Sequence, residues 1–231
     1  MPLEHRFDST DSLAQALATS VAADLSAASH ARGRASLVVS GGRTPAPFLA
    51  ALSRHALEWA QVWVTLADER WVGEDHPDSN AALVREHLLQ NRAAQANFVP
   101  LKNPAATPTQ GETACAEALK TMPRPFDVVL LGMGDDCHTA SLFPQAPQLA
   151  DALALDSGKL CLGMDPVTAP HPRMTLTLPA LLASRRIVVL FSGSGKWAVY
   201  QQALQPGPVA ALPIRCVLRQ TQVPVEVYYH D

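Results

Sequence analysis

Between residues 11 and 30, Leu13, Leu17, Val21 and Leu25 recur one helical turn apart in an alanine-rich background. This spacing predicts an amphipathic helix that stops at Gly33. Leu37-Val38-Val39-Ser40 then reads as a short buried strand and Gly41-Gly42-Arg43 as a turn. Thr44-Pro45 opens the next helix, with Thr44 as N-cap and Pro45 at the first helical position. The alternation continues with strands at 62–66 and 126–131 and helices at 79–90 and 110–122; Ser79 is the N-cap of the first of these helices. A weaker strand is expected at 159–164, a strong one at 186–191, a helix at 195–204 and a last strand at 225–229. The proline-rich stretch 100–108 reads as a loop.

Strands alternating with helices require right-handed crossovers, so the pattern predicts an α/β fold: a mostly parallel sheet with helices on both faces. No repeat or linker interrupts it, and one domain over 1–231 is expected. In such folds ligands bind beyond the carboxyl ends of the strands. That rule brings Ser40, Asp68, the segment 132–138 and the segment 192–196 to one edge.

Composition narrows the partners. Hydrophobic residues make up 48% and charged residues 17%, as in an ordinary globular chain. A net charge of −3 gives no general attraction to nucleic acid or an anionic membrane, so a bound anion needs a local site. The longest apolar run, 187–191, is too short to span a bilayer, and the polar start of the chain has no leader pattern. Cys115, Cys137, Cys161 and Cys216 are scattered without a CxxC pair, which predicts reduced thiols, a cytoplasmic protein and no metal centre. No oligomeric partner is evident.

Four segments carry candidate chemistry. Ser40-Gly41-Gly42-Arg43-Thr44-Pro45 reads equally as a tight turn or as a loop whose backbone approaches a phosphate at a helix start. Asp68-Glu69-Arg70-Trp71-Val72, followed by Ser79-Asn80, offers a proton acceptor and a phosphate clamp, or else a solvated charged loop. In Gly132-Met133-Gly134-Asp135-Asp136-Cys137-His138 the imidazole of His138 suits a general base, because histidine titrates near neutral pH, and Asp136 can fix its tautomer. Arg173 and Lys196 are cations for bidentate and point-charge recognition of phosphate. The dinucleotide, Walker and nucleophile-elbow patterns are all incomplete here.

Taken together, SGGRTP (40–45), DERWV with SN (68–72, 79–80), GMGDDCHTASLFP (132–144), RMTLTLPALLASRRIVVLF (173–191) and SGK (194–196) resemble the 6-phosphogluconolactonase family. The resemblance implies a Rossmann-like sheet of the glucosamine-6-phosphate deaminase and ribose-5-phosphate isomerase type. It implies cofactor-free hydrolysis of a phosphorylated sugar lactone in the oxidative pentose phosphate pathway. By position, His138 would be the base and Asp68 and Asp136 supporting acids. Gly41, Gly42, Arg43, Thr44, Arg173 and Lys196 would hold phosphate, with Arg70 at the ligand edge. Backbone amides around 132–134 are candidate oxyanion donors.

The family usually has glycine where this chain has Cys137, so a left-handed backbone there would be strained. Two rival readings differ in specific features. An amino-sugar-phosphate deaminase would carry a further acid after the histidine, where this chain has Ser141-Leu142-Phe143-Pro144. A non-catalytic sugar-phosphate sensor would be expected beside a basic DNA-binding segment.

Overall fold

The computed structural model describes residues 2–230. Its centre is a seven-stranded sheet in which every neighbouring pair is parallel. The strands are β1 (Leu3–Phe7), β2 (Ala35–Val39), β3 (Val62–Leu66), β5 (Asn97–Val99), β6 (Val128–Gly132), β9 (Ile187–Ser192) and β10 (Val225–His230). Their order is β1-β10-β9-β6-β2-β3-β5. A second, three-stranded antiparallel sheet runs β4-β8-β7, from β4 (Asp68–Arg70), β8 (Arg173–Leu176) and β7 (Cys161–Met164).

The long helix α1 (Thr10–Arg32) begins at Ser9, whose hydroxyl accepts the Ser12 amide, and ends at Gly33, which adopts φ 71° and returns its N–H to Ser29. Glycine takes this left-handed cap without a Cβ clash. Leu17, Val21 and Leu25 are fully buried, and each contributes about 1.5–3 kcal/mol relative to an exposed position. They face α2 (Ala46–Leu52) and the sheet. Strand β2 is buried at all five positions, as a strand covered on both faces must be. Asp127, buried just before β6, accepts the Ser36 amide at 2.9 Å and pairs with Arg32 and Arg185. This carboxylate fixes the start of β6 against β2, and so aims the loop that follows β6.

The predicted elements are present with shifted ends. The third and fourth expected helices are α3 (Asn80–His87), with Ser79 accepting from Ala82, and α4 (Pro108–Lys120). The helix beyond β9 is α7 (Ser194–Leu204). The short helices α5 (Leu149–Leu153), α6 (Leu178–Leu182) and α8 (Arg215–Leu218) complete the set.

Three expectations change. Thr44 is not an N-cap: α2 is preceded by Pro45, without a side-chain cap, and is only seven residues long. The stretch around 159–164 is a strand, but it lies in the second sheet, not the parallel one. The charged segment from Asp68 is no solvated loop. It pairs as β4 with β8, and Asp68 and Glu69 are buried. Among the described residues no helix is long and apolar enough to cross a membrane.

Candidate active site

The carboxyl ends of β2, β6 and β9, together with β4 and β8, surround a cleft of about 270 Å³. Gly41, Gly42, Arg43, Thr44, Asp68, Arg70, His138, Arg173 and Lys196 all line it, so residues up to 155 positions apart meet in one place. Asp136 is not in the wall but stands directly behind His138.

The loop after β6 is built around His138. Its Nδ1 lies 2.6 Å from Asp136 Oδ1, and the same oxygen accepts the His138 amide at 3.1 Å. With a carboxylate at Nδ1, that nitrogen carries the hydrogen and Nε2 keeps the lone pair. Phe143 stacks on the imidazole with ring centres 4.2 Å apart, and the Arg173 guanidinium sits 5.5 Å over the same phenyl ring. The base is thus held from one edge and one face. Burial alone would raise the Asp136 carboxyl, but the hydrogen bond and charge of His138 outweigh it and hold Asp136 below the usual carboxylate range.

The tightness of this loop explains its glycines. A Cβ on Gly134 would fall 2.2 Å from His138 Nδ1. Its amide donates to the His138 carbonyl at 2.9 Å, and the Gly132 amide donates to Ser40 Oγ at 3.2 Å. Of the three amides at 132–134 expected as oxyanion donors, those of Gly132 and Gly134 are therefore engaged within the protein. Cys137 adopts φ 64° and Ala140 φ 47°, left-handed conformations that strain a non-glycine residue by about 1–2 kcal/mol each. The Cys137 carbonyl anchors the loop by accepting the Ile214 amide at 2.9 Å. Its thiol is buried, and burial and the neighbouring Asp136 both push it up, so it is no nucleophile.

The opposite wall comes from the second sheet. Asp68 Oδ2 accepts the Ser141 hydroxyl at 2.5 Å and lies 3.8 Å from Arg173 Nη1. Asn80, at the start of α3, donates to the Asp68 carbonyl at 2.8 Å. A Cβ on Gly41 would overlap the Asn80 amide at 1.7 Å, so glycine is required for the 40–45 turn to pass α3. Burial pulls the Arg173 guanidinium below its ordinary value, with Asp68 opposing. Arg70 donates to the Asp78 carbonyl at 2.5 Å, while its buried Nε has no hydrogen-bond partner among the described residues. Lys196 sits in the first turn of α7, just after Gly193 at φ 94°.

Four supporting residues were not singled out from sequence. Ser141 and Phe143 were legible only as members of a motif. Asn80 was seen beside a helix cap, and Glu69 as one of two acids. Glu69 accepts the amides of Arg70, Asn80 and Ala81, each at 2.8 Å, and so joins β4 to the start of α3.

Residues 8–226 match the family model described as glucosamine-6-phosphate isomerases/6-phosphogluconolactonase. A 6-phosphogluconolactonase of Pseudomonas aeruginosa is 43% identical over 217 residues, 94% of this chain and 90% of that protein. The crystal structure of a 6-phosphogluconolactonase from Shewanella baltica superposes with a TM-score of 0.98 at 48% identity, covering 100% of this chain and 98% of the other. A monomeric glucosamine-6-phosphate deaminase, 16% identical, shares the fold alone, with a TM-score of 0.77 over 97% of this chain and 96% of its own. By both measures, over nearly its whole length, the chain belongs to the glucosamine-6-phosphate isomerase/6-phosphogluconolactonase family.

Proposed function

We propose that this chain is a lactone hydrolase that opens 6-phospho-D-glucono-1,5-lactone to 6-phospho-D-gluconate, the second step of the oxidative pentose phosphate pathway. The observation that carries the reading is one cleft holding a carboxylate-oriented imidazole together with Arg43, Arg70, Arg173 and Lys196. A base and a cluster of cations are what a neutral ester bearing a phosphate requires.

The substrate phosphate docks on the 41–44 turn, Arg173 and Lys196, with Arg70 at its edge. This places C1 of the ring before His138 Nε2. A water attacks C1 while Nε2 takes its proton, giving a tetrahedral oxyanion. The Gly132 and Gly134 amides, engaged within the protein, do not receive that charge. Collapse breaks the bond from C1 to the ring oxygen, and the imidazolium returns its proton to that oxygen. Asp136 stabilises the imidazolium between the two transfers. Asp68, in the wall of the cleft, serves as a supporting acid that holds Ser141 and Arg173 in place. The chain works as one domain over 1–231. Four buried free cysteines and a net charge of −3 support work in the reducing cytoplasm on a small molecule, without attraction to nucleic acid.

The test is decay of the lactone, generated in situ from glucose 6-phosphate, with the purified protein, with His138→Ala and without protein. The wild type should accelerate decay, and the variant should lose on the order of 10²–10⁴-fold of that acceleration. A folded wild type that leaves the spontaneous rate unchanged would overturn the substrate; a fully active His138→Ala would overturn the base.

A further inference from the structure

Beside the cleft, but outside its wall, His76, Asp78 and His171 form a group whose ligand-capable atoms all lie within 4.8 Å of one another. His171 Nε2 is 3.0 Å from Asp78 Oδ2, and His76 Nδ1 is 3.9 Å from the same oxygen. The two imidazoles meet edge to face at 5.3 Å. Tetrahedral bonds of ~2.0–2.1 Å set neighbouring donors roughly 3.3 Å apart. The two separations from Asp78 Oδ2 bracket that value and the third lies within 4.8 Å, so rotation of these exposed side chains would close the group on an ion.

The donor set selects the metal. Two neutral imidazoles and one carboxylate suit zinc and similar borderline cations, whereas magnesium and calcium prefer oxygen alone. The side chains are 31–50% exposed, which leaves the group open to solution and to a water as fourth ligand. His171 holds φ 68°, a left-handed conformation that histidine adopts more readily than most non-glycine residues, and its imidazole meets Asp78. A metal would displace the hydrogen between His171 and Asp78, and His76 Nδ1 would exchange the Asp78 amide it accepts at 3.1 Å for the ion.

The group also backs onto the substrate arginines. The Asp78 carbonyl holds Arg70, while the carbonyls of His171 and Pro170 accept from Arg173 Nε and Nη2 at 3.3 and 3.2 Å. We propose that His76, Asp78 and His171 form a zinc site that ties the 76–78 turn to the 170–173 segment behind Arg70 and Arg173. The sequence hid it: Asp78 and His171 are 93 residues apart, and the expectation of no metal centre rested on cysteine spacing.

The test is calorimetric titration of chelator-stripped full-length protein with zinc chloride, with cobalt(II) absorption as the spectroscopic readout. Wild type should take up one equivalent at this site and give the visible bands of low-coordinate cobalt. Asp78→Asn and His171→Asn should bind at least tenfold more weakly; asparagine tolerates the left-handed backbone at 171, so folding is preserved. His138→Asn, which removes the separate histidine–aspartate pair of the cleft, should retain that equivalent. Zinc should also slow amide hydrogen exchange in both 76–78 and 170–173. Absence of binding, binding lost only in His138→Asn, or unchanged exchange at the two segments would overturn the proposal. None of these readouts depends on lactone turnover.

Discussion

His138 and Asp136 meet twice through one oxygen: Asp136 Oδ1 takes both the imidazole Nδ1–H at 2.6 Å and the His138 amide at 3.1 Å. An asparagine whose carbonyl oxygen stands in the place of Oδ1 still accepts both hydrogens, but it brings no negative charge to stabilise the imidazolium formed when Nε2 takes its proton. Asp136→Asn should therefore forfeit much of the roughly 10²–10⁴-fold that a positioned base supplies. Steady-state kinetics should show the loss in kcat with KM little changed. Because the Asp136 carboxyl lies below the usual range, its stabilising interaction is present at neutral pH and is lost only as pH falls through that lowered value.

Gly134→Ala puts a methyl 2.2 Å from His138 Nδ1 and 2.7 Å from Asp136 Oδ1. Both side chains are partly exposed, so the loop should yield while the core stays intact. The expected variant melts within a few degrees of wild type yet turns over at least tenfold more slowly, since small misplacements of catalytic groups are costly. Equal activity would mean that the base does not need this geometry.

Arg173→Lys tests the phosphate grip. Lysine keeps the charge but loses the planar fork, and it leaves the Pro170 and His171 carbonyls short of donors. KM should rise by about tenfold or more, the scale of one lost charge-assisted hydrogen bond, with a smaller change in kcat.

Glu69→Gln addresses stability. Both carboxylate oxygens of Glu69 accept: one takes the Arg70 and Asn80 amides, the other the Ala81 amide and the Ser79 hydroxyl. A glutamine must aim NH₂ at one of these donors, so the variant should lose about 1.5–3 kcal/mol in denaturant unfolding. Burial raises the Glu69 carboxyl above its ordinary 4.5, with the three amides opposing. A raised carboxyl binds its proton more tightly in the folded state. Its contribution is fully present below pH 4.5 and declines as pH rises through the folded value. The glutamine variant should lack that pH dependence.

What the sequence revealed follows from how each element is stabilised. Strands β2, β3, β6 and β9 are buried along most of their length and read as mainly apolar runs, and α1 carries a regular hydrophobic stripe. Strand β1 is exposed at three of its five positions, and β4 consists of charged residues; both exist through backbone pairing that no residue pattern announces. The His138 loop was legible because its glycines and acids are contiguous. The partners that stiffen the site, such as Ser141 on Asp68 across 73 residues, depend on a second sheet that local periodicity does not show.

The strand order has a consequence for how the molecule is made. Strand β1 has a single neighbour, β10, more than 200 positions later, with Leu3 opposite Glu226 and Phe7 opposite His230. During synthesis, therefore, β2, β3 and β5 can pair while β1 waits unpaired. The edge of the sheet closes only after Val225–His230 has cleared the ribosome, which makes docking of β1 a late, non-local event that α1 must tolerate beside it.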